Sequence, residues 1–337
     1  MDRQTRHRLE RPLTVEVLDE AVYPKAGRLG DQIEDFRREE VSPEDQEGLY
    51  RDVHARRFYH ATLAAVDELR VTVVVPTRDR LDSLSRCVEA LRRQTLGDSL
   101  EIVVVQDGGD QPGLEDLQGL RVVRQERRGP GAARNHGVSV ARAPIVCFTD
   151  DDCEPLPDWA ERLESRIAAG ADAAIGRTVN ADTRSATAAA SQLVVSHLVE
   201  RSVADGWSAF GSSNNFACRT EVFRQVQFDP RYAFAGGDRD WCFRMRAAGH
   251  ELAYVPNAVV LHRQRLTFAR FLRQQLAYGR GSCRYRGAHG AWRLERPDFY
   301  GSLLAEGFAS GPRVGALVAL GQAATAVGYA REAVAGR

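Results

Sequence analysis

The chain has 337 residues, enough for about two domains of ordinary size. It is 43% hydrophobic and 27% charged, a balance that excludes a disordered chain, a collagen and a disulfide-stapled miniprotein. The 46 basic and 46 acidic residues cancel, so no global field selects nucleic acid as a partner.

One lysine, Lys25, stands against 45 arginines, the usage of a high-GC bacterial genome. Arginine is permanently charged and suits forked anion contacts better than lysine. Six cysteines (Cys87, Cys147, Cys153, Cys218, Cys242, Cys283) form no CxxC pair, so reduced cytoplasmic thiols are expected rather than zinc or disulfides. The opening MDRQTRHRLERP has no apolar core of the kind a signal peptide needs.

Residues 1–69 read as an amino-terminal extension, partly helical. Asp31–Glu47 carries eight acids, and His54–Leu69 has apolar residues at helical spacing. At Val71 the pattern changes. VTVVV is a short β-branched apolar run, as a strand buried on both faces requires, and Pro76 is expected to end it. Asp82 is expected to cap the helix that follows, with Leu84, Val88 and Leu91 on its buried face. Ile102–Val105, Arg121–Arg124 and Pro144–Thr149 give three more strands, and a helix over Ala132–Val140 follows the glycine loop GPG. This alternation is the grammar of an open α/β sheet, in which ligands sit beyond the carboxyl ends of the strands. Thr77, Arg78, Asp107, Arg134, Asp150 and Asp152 all fall at or just beyond such ends.

Farther on, the pattern predicts a helix from Trp159 to Ala168, a strand near Ala173–Arg177 and a helix over Ala186–Val203. Ser212–Phe223 reads as strand into helix, Gly236–Gly249 as loop into helix, and LAYVPNAVVLH as two short strands reaching His262. Residues 266–337 form a helical region. Arg263–Arg293 holds eight arginines and no acid, with helical apolar spacing at Phe268, Phe271, Leu272 and Leu276; this suits either a solvated face or peripheral contact with a membrane. The uncharged run Val314–Ala330 is seventeen residues with three glycines, short of a membrane span.

Several side chains carry chemistry. Asp150, Asp151 and Asp152 repel one another unless a cation or solvent relieves them, and a divalent ion bridging a diphosphate is their natural use; an exposed acidic turn is the alternative. GPGAARNHG has Arg134 where a dinucleotide fingerprint wants its third glycine, which argues against a dehydrogenase. A helix start with Arg134 can still hold an anion. Asp107 can accept from an imide N–H such as that of uracil. Of Asp238 and Asp240, one is expected to cap the helix and the other is free to act as a general base. His262 suits a metal or phosphate contact or a structural role.

Taken in order, VVVPTRDR, VVQDGGD, GPGAARNHG, FTDDDCEP, NNFACR, GGDRDWCFR and VVLH resemble the family 2 glycosyltransferases with the GT-A fold. The resemblance covers Arg70–Arg265, about 60% of the chain. It implies a mixed, mostly parallel sheet flanked by helices, with residues 70–152 as a nucleotide-binding half and 153–265 as an acceptor half. It implies inverting transfer from a nucleotide-diphosphate sugar (UDP or dTDP favoured) to a hydroxyl acceptor, with Mn²⁺ or Mg²⁺. Pro76, Thr77, Arg78 and Asp107 would line the nucleoside pocket, with Arg134 and Asp151 also on the donor side. Asp150 and Asp152 would be the DXD motif, the first toward ribose and the second on the metal. Asp238 would be the base, His262 a further metal or phosphate contact, and Asp240 and Trp241 would flank the acceptor side. The acceptor is a glycan, a lipid-linked molecule or a small molecule. The implied setting is the cytoplasm or the inner face of a membrane, and a homodimer is compatible with it. Two positions depart from the family pattern: Gly237-Asp238 replaces the usual Glu-Asp pair, and Gln106-Asp107 replaces paired aspartates. The competing classes are a sugar-phosphate nucleotidyltransferase, which wants a glycine in the loop after the first strand where PTRDR has none, and a non-catalytic nucleotide-sugar-binding module.

Overall fold

The computed structural model of the protein describes residues 14–15, 68–205, 210–232, 235–290 and 295–335. The acidic run Asp31–Glu47 and the helix expected over His54–Leu69 lie, apart from the last two residues, outside the described residues.

One sheet organises what is described. Its strands are β1 (Thr14–Val15), β2 (Val71–Thr77), β3 (Leu100–Asp107), β4 (Arg121–Gln125), β5 (Ile145–Phe148), β6 (Cys153–Pro155), β7 (Ala173–Asn180), β8 (Phe216–Arg219) and β9 (Leu252–His262). They lie in the order β1-β9-β7-β8-β5-β2-β3-β4, with β6 paired to β9 beside that row. The run β5-β2-β3-β4 is parallel, and β8 is antiparallel to both its neighbours. The sheet is therefore mixed and mostly parallel, as expected. From β2 the chain moves outward through β3 and β4, then returns to β5 on the other side of β2. Beyond the carboxyl ends of β2 and β5 that reversal leaves the crevice in which open α/β sheets hold their ligands.

Helices α1 (Leu81–Arg92) and α3 (Trp159–Ala168) cover one face of the sheet. Val71, Val73 and Val75 pack there with Leu84, Val88, Leu91, Trp159 and Leu163. Helices α2 (Pro130–Val140), α5 (Thr220–Gln225) and α6 (Gly237–Ala247) cover the other, where Val74, Val103 and Val105 meet Ala133, Val138, Phe223 and Trp241. Alternate residues of VTVVV serve opposite cores, which is why the run is apolar throughout. Helix α4 (Ala186–Asp205) joins α7 (Phe268–His289), α8 (Pro297–Ala309) and α9 (Pro312–Ala335) around a third cluster of Ala190, Phe271, Phe299, Leu303, Val314 and Val318. The uncharged run thus lies in a helix packed on protein, and among the described residues no helix is long and apolar enough to cross a membrane.

Four local expectations are corrected. Pro76 does not end β2, which continues to Thr77 paired with Gln106; β5 has already stopped opposite Val74, so only β3 pairs with β2 there. Asp82 lies inside the first turn of α1, where it favours the helix dipole without capping it. LAYVPNAVVLH is one strand, whose register against β7 slips between Gly176 and Arg177 so that Pro256 falls in the bulge. β1 adds two residues, from ahead of the expected limit at residue 70, to the edge of the sheet.

Far from the crevice, buried Glu101 accepts from Thr72 Oγ1 (2.7 Å), Arg142 N (3.1 Å) and Arg142 Nε (2.6 Å). Burial alone would raise its carboxyl, but these donors hold it below the usual glutamate value. Glu101→Gln should lower stability by about 1–2 kcal/mol at neutral pH, at the low end for charge-assisted bonds because Arg142 is largely exposed. A depressed folded value makes this advantage full above the unfolded value of 4.5, and it disappears as pH falls through the folded value. Melting curves of both proteins from about pH 3 to 7 check this, since a stability gap that stays constant with pH contradicts it.

Candidate active site

The crevice is built around the three aspartates that follow β5. Asp151 is buried and points inward, where its carboxylate accepts from Thr77 Oγ1 (2.8 Å) and Arg80 Nη1 (3.1 Å). Burial pushes its carboxyl up to about 6, against the pull of Arg80 and Thr77. Asp151 thus ties the end of β2 to the end of β5, and neither its carboxylate nor the Thr77 hydroxyl is turned to a ligand. Arg80 Nη1 also donates to Asp152 Oδ2 (3.0 Å). Asp150 Oδ1 accepts from Arg134 Nη2, and Arg134 is 5% exposed with its guanidinium 5.8 Å from the Phe228 ring centroid. Each carboxylate of the triplet therefore has a fixed arginine partner.

His262, at the end of β9, completes the group. Its Nε2 lies 3.3 Å from Asp152 Oδ1, while Nδ1 lies 3.0 Å from Gln192 Oε1 and 3.2 Å from Gln264 Nε2. Burial works to raise the Asp152 carboxyl, but His262 and Arg80 hold it below the usual aspartate value. When Nδ1 donates to Gln192, Nε2 presents a lone pair to the carboxylate, and a cation fits between them. Cys153 is also within ligand range of this pair, but burial pushes its thiol well up, so it stays protonated and is a poor partner for a hard ion. A carboxylate beside an imidazole fits Mn²⁺, and Mg²⁺ through the carboxylate.

Asp107 does a different job from the one expected. Its Oδ1 accepts from Gln125 Nε2 (2.9 Å) and Arg128 N (2.7 Å), and its Oδ2 accepts from Gly129 N (2.8 Å). It anchors the glycine loop at the start of α2, leaving one lone pair on Oδ2 for a ligand. Pro76 is buried within β2, and Arg78 is exposed beside Asp79.

Across the crevice, Asp238 stands at the second position of α6. Burial raises its carboxyl, Arg134 and two hydrogen bonds from Ser213 work against that rise, and Asp150 adds to it. Asp150 and Asp238 thus share Arg134 as a neighbouring cation. A side chain at Gly237 would start 3.3 Å from the Tyr232 Cβ, so the family's Glu-Asp pair meets a tightly packed wall here. Asp240 is not the cap. Gly236 holds that position, and buried Asp240 pairs with Arg244 Nε (2.7 Å) and His289 Nε2 (2.8 Å). Trp241 is 1% exposed and packs against Phe216 and Phe223 with its indole N–H on the Val226 carbonyl, so it belongs to the core and not to the acceptor side.

Sequence reasoning missed Arg80 and Ser213. Arg80 stands two residues after Arg78 in PTRDR, and which arginine turns back to the aspartates depends on the loop. The NNFACR motif turns out to be structural at Asn215, which bonds Trp159 Nε1, the Arg177 carbonyl and the Ala258 carbonyl.

Residues 72–227 match the family described as Glycosyl transferase family 2. The chain is 27% identical over 242 residues to Glycosyltransferase AglE of Haloferax volcanii, covering 67% of this chain and 75% of that protein. It is 27% identical over 221 residues to the Pre-mycofactocin glycosyltransferase of Mycobacterium tuberculosis, covering 62% of this chain but only 46% of that one. Among solved structures, the mannosyltransferase PcManGT from Pyrobaculum calidifontis, in complex with GDP-Man and Mn²⁺, aligns with a TM-score of 0.49 at 19% identity, covering 86% of each chain. The fold and site define a protein with a mixed, mostly parallel sheet and a carboxylate-lined crevice at its switch point. The family match takes in residues 72–227, and together with the named glycosyltransferase relatives it supports a glycosyltransferase enzyme.

Asp107→Ala should free the loop at residues 127–131. Losing a carboxylate that accepts from two backbone N–H groups, of which that of Gly129 is buried, is worth about 1–3 kcal/mol locally. Amide exchange at Arg128 and Gly129 should therefore accelerate about tenfold or more. Unchanged exchange there would show that the carboxylate does not hold the loop.

Proposed function

We propose that the protein transfers a sugar from a nucleotide-diphosphate donor, UDP- or dTDP-linked, to a hydroxyl group with inversion at the anomeric carbon. The observation that carries this reading is the aspartate triplet, each member matched to a fixed cation, at the switch point of the sheet and facing a second, acceptor-side carboxylate. Asp152 and His262 would hold a divalent ion, with Asp150 beside them toward the ribose. Such an ion, when bound, neutralises charge on the departing diphosphate.

The remaining chemistry belongs to the chain's own side chains. Arg134 pairs with Asp150 and orients it, and its permanent charge faces the side on which negative charge grows. Arg80 holds Asp151 and Asp152 in place. Asp238 takes the proton of the attacking hydroxyl. A base works best with a pKa nearer the working pH, and the raised Asp238 carboxyl suits that task. Because α6 and the β5 end are joined by one packed core, Asp238 and the aspartate triplet keep a set spacing, which favours holding both reactants in line.

Two variants test this with a panel of UDP-, dTDP- and GDP-sugars scored by nucleotide release in Mn²⁺. Asp238→Asn should lower turnover by ~10²–10⁴-fold while leaving donor affinity unchanged, since a base acts on the acceptor side. Asp152→Ala should abolish calorimetric binding of UDP with Mn²⁺, as a chelator should in the unaltered protein. Near-normal turnover by Asp238→Asn, or binding indifferent to both Asp152 and chelator, contradicts the assignment.

A further inference from the structure

Helix α7 packs one face on the start of α6. In a helix, residues three, seven and eleven positions apart fall on one side. Tyr278, Gly281, Tyr285 and His289 have that spacing. Three of them already touch α6 or its lead-in. His289 Nε2 is 2.8 Å from Asp240 Oδ1. The Tyr285 ring lies 6.2 Å from that of Phe243 and 5.1 Å from the Arg239 guanidinium. Gly281 lies so close to Ala235 that a Cβ there would sit 2.6 Å from the Ala235 carbonyl carbon. α7 therefore lies directly on the turn that leads into Asp238.

Tyr278 is the fourth member of this face, one turn beyond Gly281 and past the end of α6. It is half-buried, and the charges acting on its phenol are those of Asp238, Asp150 and Asp152. Burial, with these carboxylates, pushes its ionisation far up, so at neutral pH the hydroxyl is a neutral hydrogen-bond donor and acceptor and not a competing base.

We propose that Tyr278 is an acceptor-positioning residue, whose hydroxyl, delivered by α7, holds the attacking oxygen against Asp238. This rests on Asp238 being the base. The helix then has a catalytic reason to pack where it does: it closes the acceptor end of a crevice that the sheet leaves open. The attacking oxygen belongs to a sugar or other hydroxyl during transfer, and to water when the donor is hydrolysed with no acceptor present.

The test uses the full chain. Tyr278→Phe removes only the hydroxyl. Hydrolysis of the best donor of the panel should fall about 10-fold in kcat, with the donor KM and the Kd for UDP with Mn²⁺ unchanged, since a lost positioning bond acts on the attacking oxygen. A merely structural residue would move the melting temperature and the donor Kd together. The second measurement is fluorine NMR of protein carrying 3-fluorotyrosine, in which the resonance missing from Tyr278→Phe identifies this ring. Asp238→Asn should shift that resonance, and the remote Glu101→Gln should not.

Full hydrolytic rate in Tyr278→Phe, or a resonance indifferent to Asp238→Asn, overturns the proposal. Loss of UDP affinity in Tyr278→Phe also overturns it by moving the residue to the donor side. A wild-type protein that releases no nucleotide from any donor overturns the glycosyl-transfer reading and this proposal together. Active wild type with an equally active Tyr278→Phe overturns this one alone.

Discussion

Three consecutive carboxylates at the mouth of a buried sheet repel one another, and the crevice is arranged around relieving that repulsion. Arg80 spans Asp151 and Asp152, and Arg134 takes Asp150. Arg134 is nearly sealed from solvent, where a lysine would readily lose its proton and with it the charge the site requires. The guanidinium keeps its charge and its fork geometry under the same burial. The chain's near-total use of arginine matches a high-GC genome, but at this position the physics calls for it. The described site is a closed network of internal ion pairs, and on the proposed reading Asp152 would trade its arginine for a divalent ion.

Topology brings the parts of that network together. Reversal of the strand order at β2 places the ends of β2 and β5 side by side, so Thr77 and Arg80 can reach aspartates that lie more than seventy residues away. β8 runs antiparallel between β5 and β7 and leads into α5. Ser213, just ahead of it, donates to Asp238. Phe148, Phe216, Phe223 and Trp241 then pack into one aromatic cluster that joins β5 to α6. The aspartate triplet and Asp238 are consequently carried by a single core, and their spacing is as rigid as that core.

Much of this was legible in the sequence, where the cause is local. VTVVV and IVVV announce strands covered on both faces, and the polar residues that follow such runs had to lie at strand ends. The mostly parallel sheet and the placement of Asp150, Asp152 and Arg134 at one crevice followed from that, whereas Asp238 and His262 were placed there by the resemblance to family 2 glycosyltransferases. What was illegible depended on partners distant in the chain. Asp240 looks like a cap until His289, on a helix 49 residues later, is seen to pair with it. Trp241 looks like a binding surface until Phe216 and Phe223 surround it. Asp151 is indistinguishable from its neighbours in sequence, and only the Thr77 hydroxyl turns it inward. Pro256 suggested a break between two strands, whereas a bulge absorbs it within one.

The most direct test of the account is the position of a metal ion in crystals grown with UDP and MnCl₂, located by anomalous scattering from manganese. The account predicts one peak bounded by the Asp152 carboxylate and His262 Nε2, with the Arg80 guanidinium turned off Asp152 and still on Asp151. A peak elsewhere, or bound UDP with Arg80 still paired to Asp152 and no manganese beside it, would contradict it.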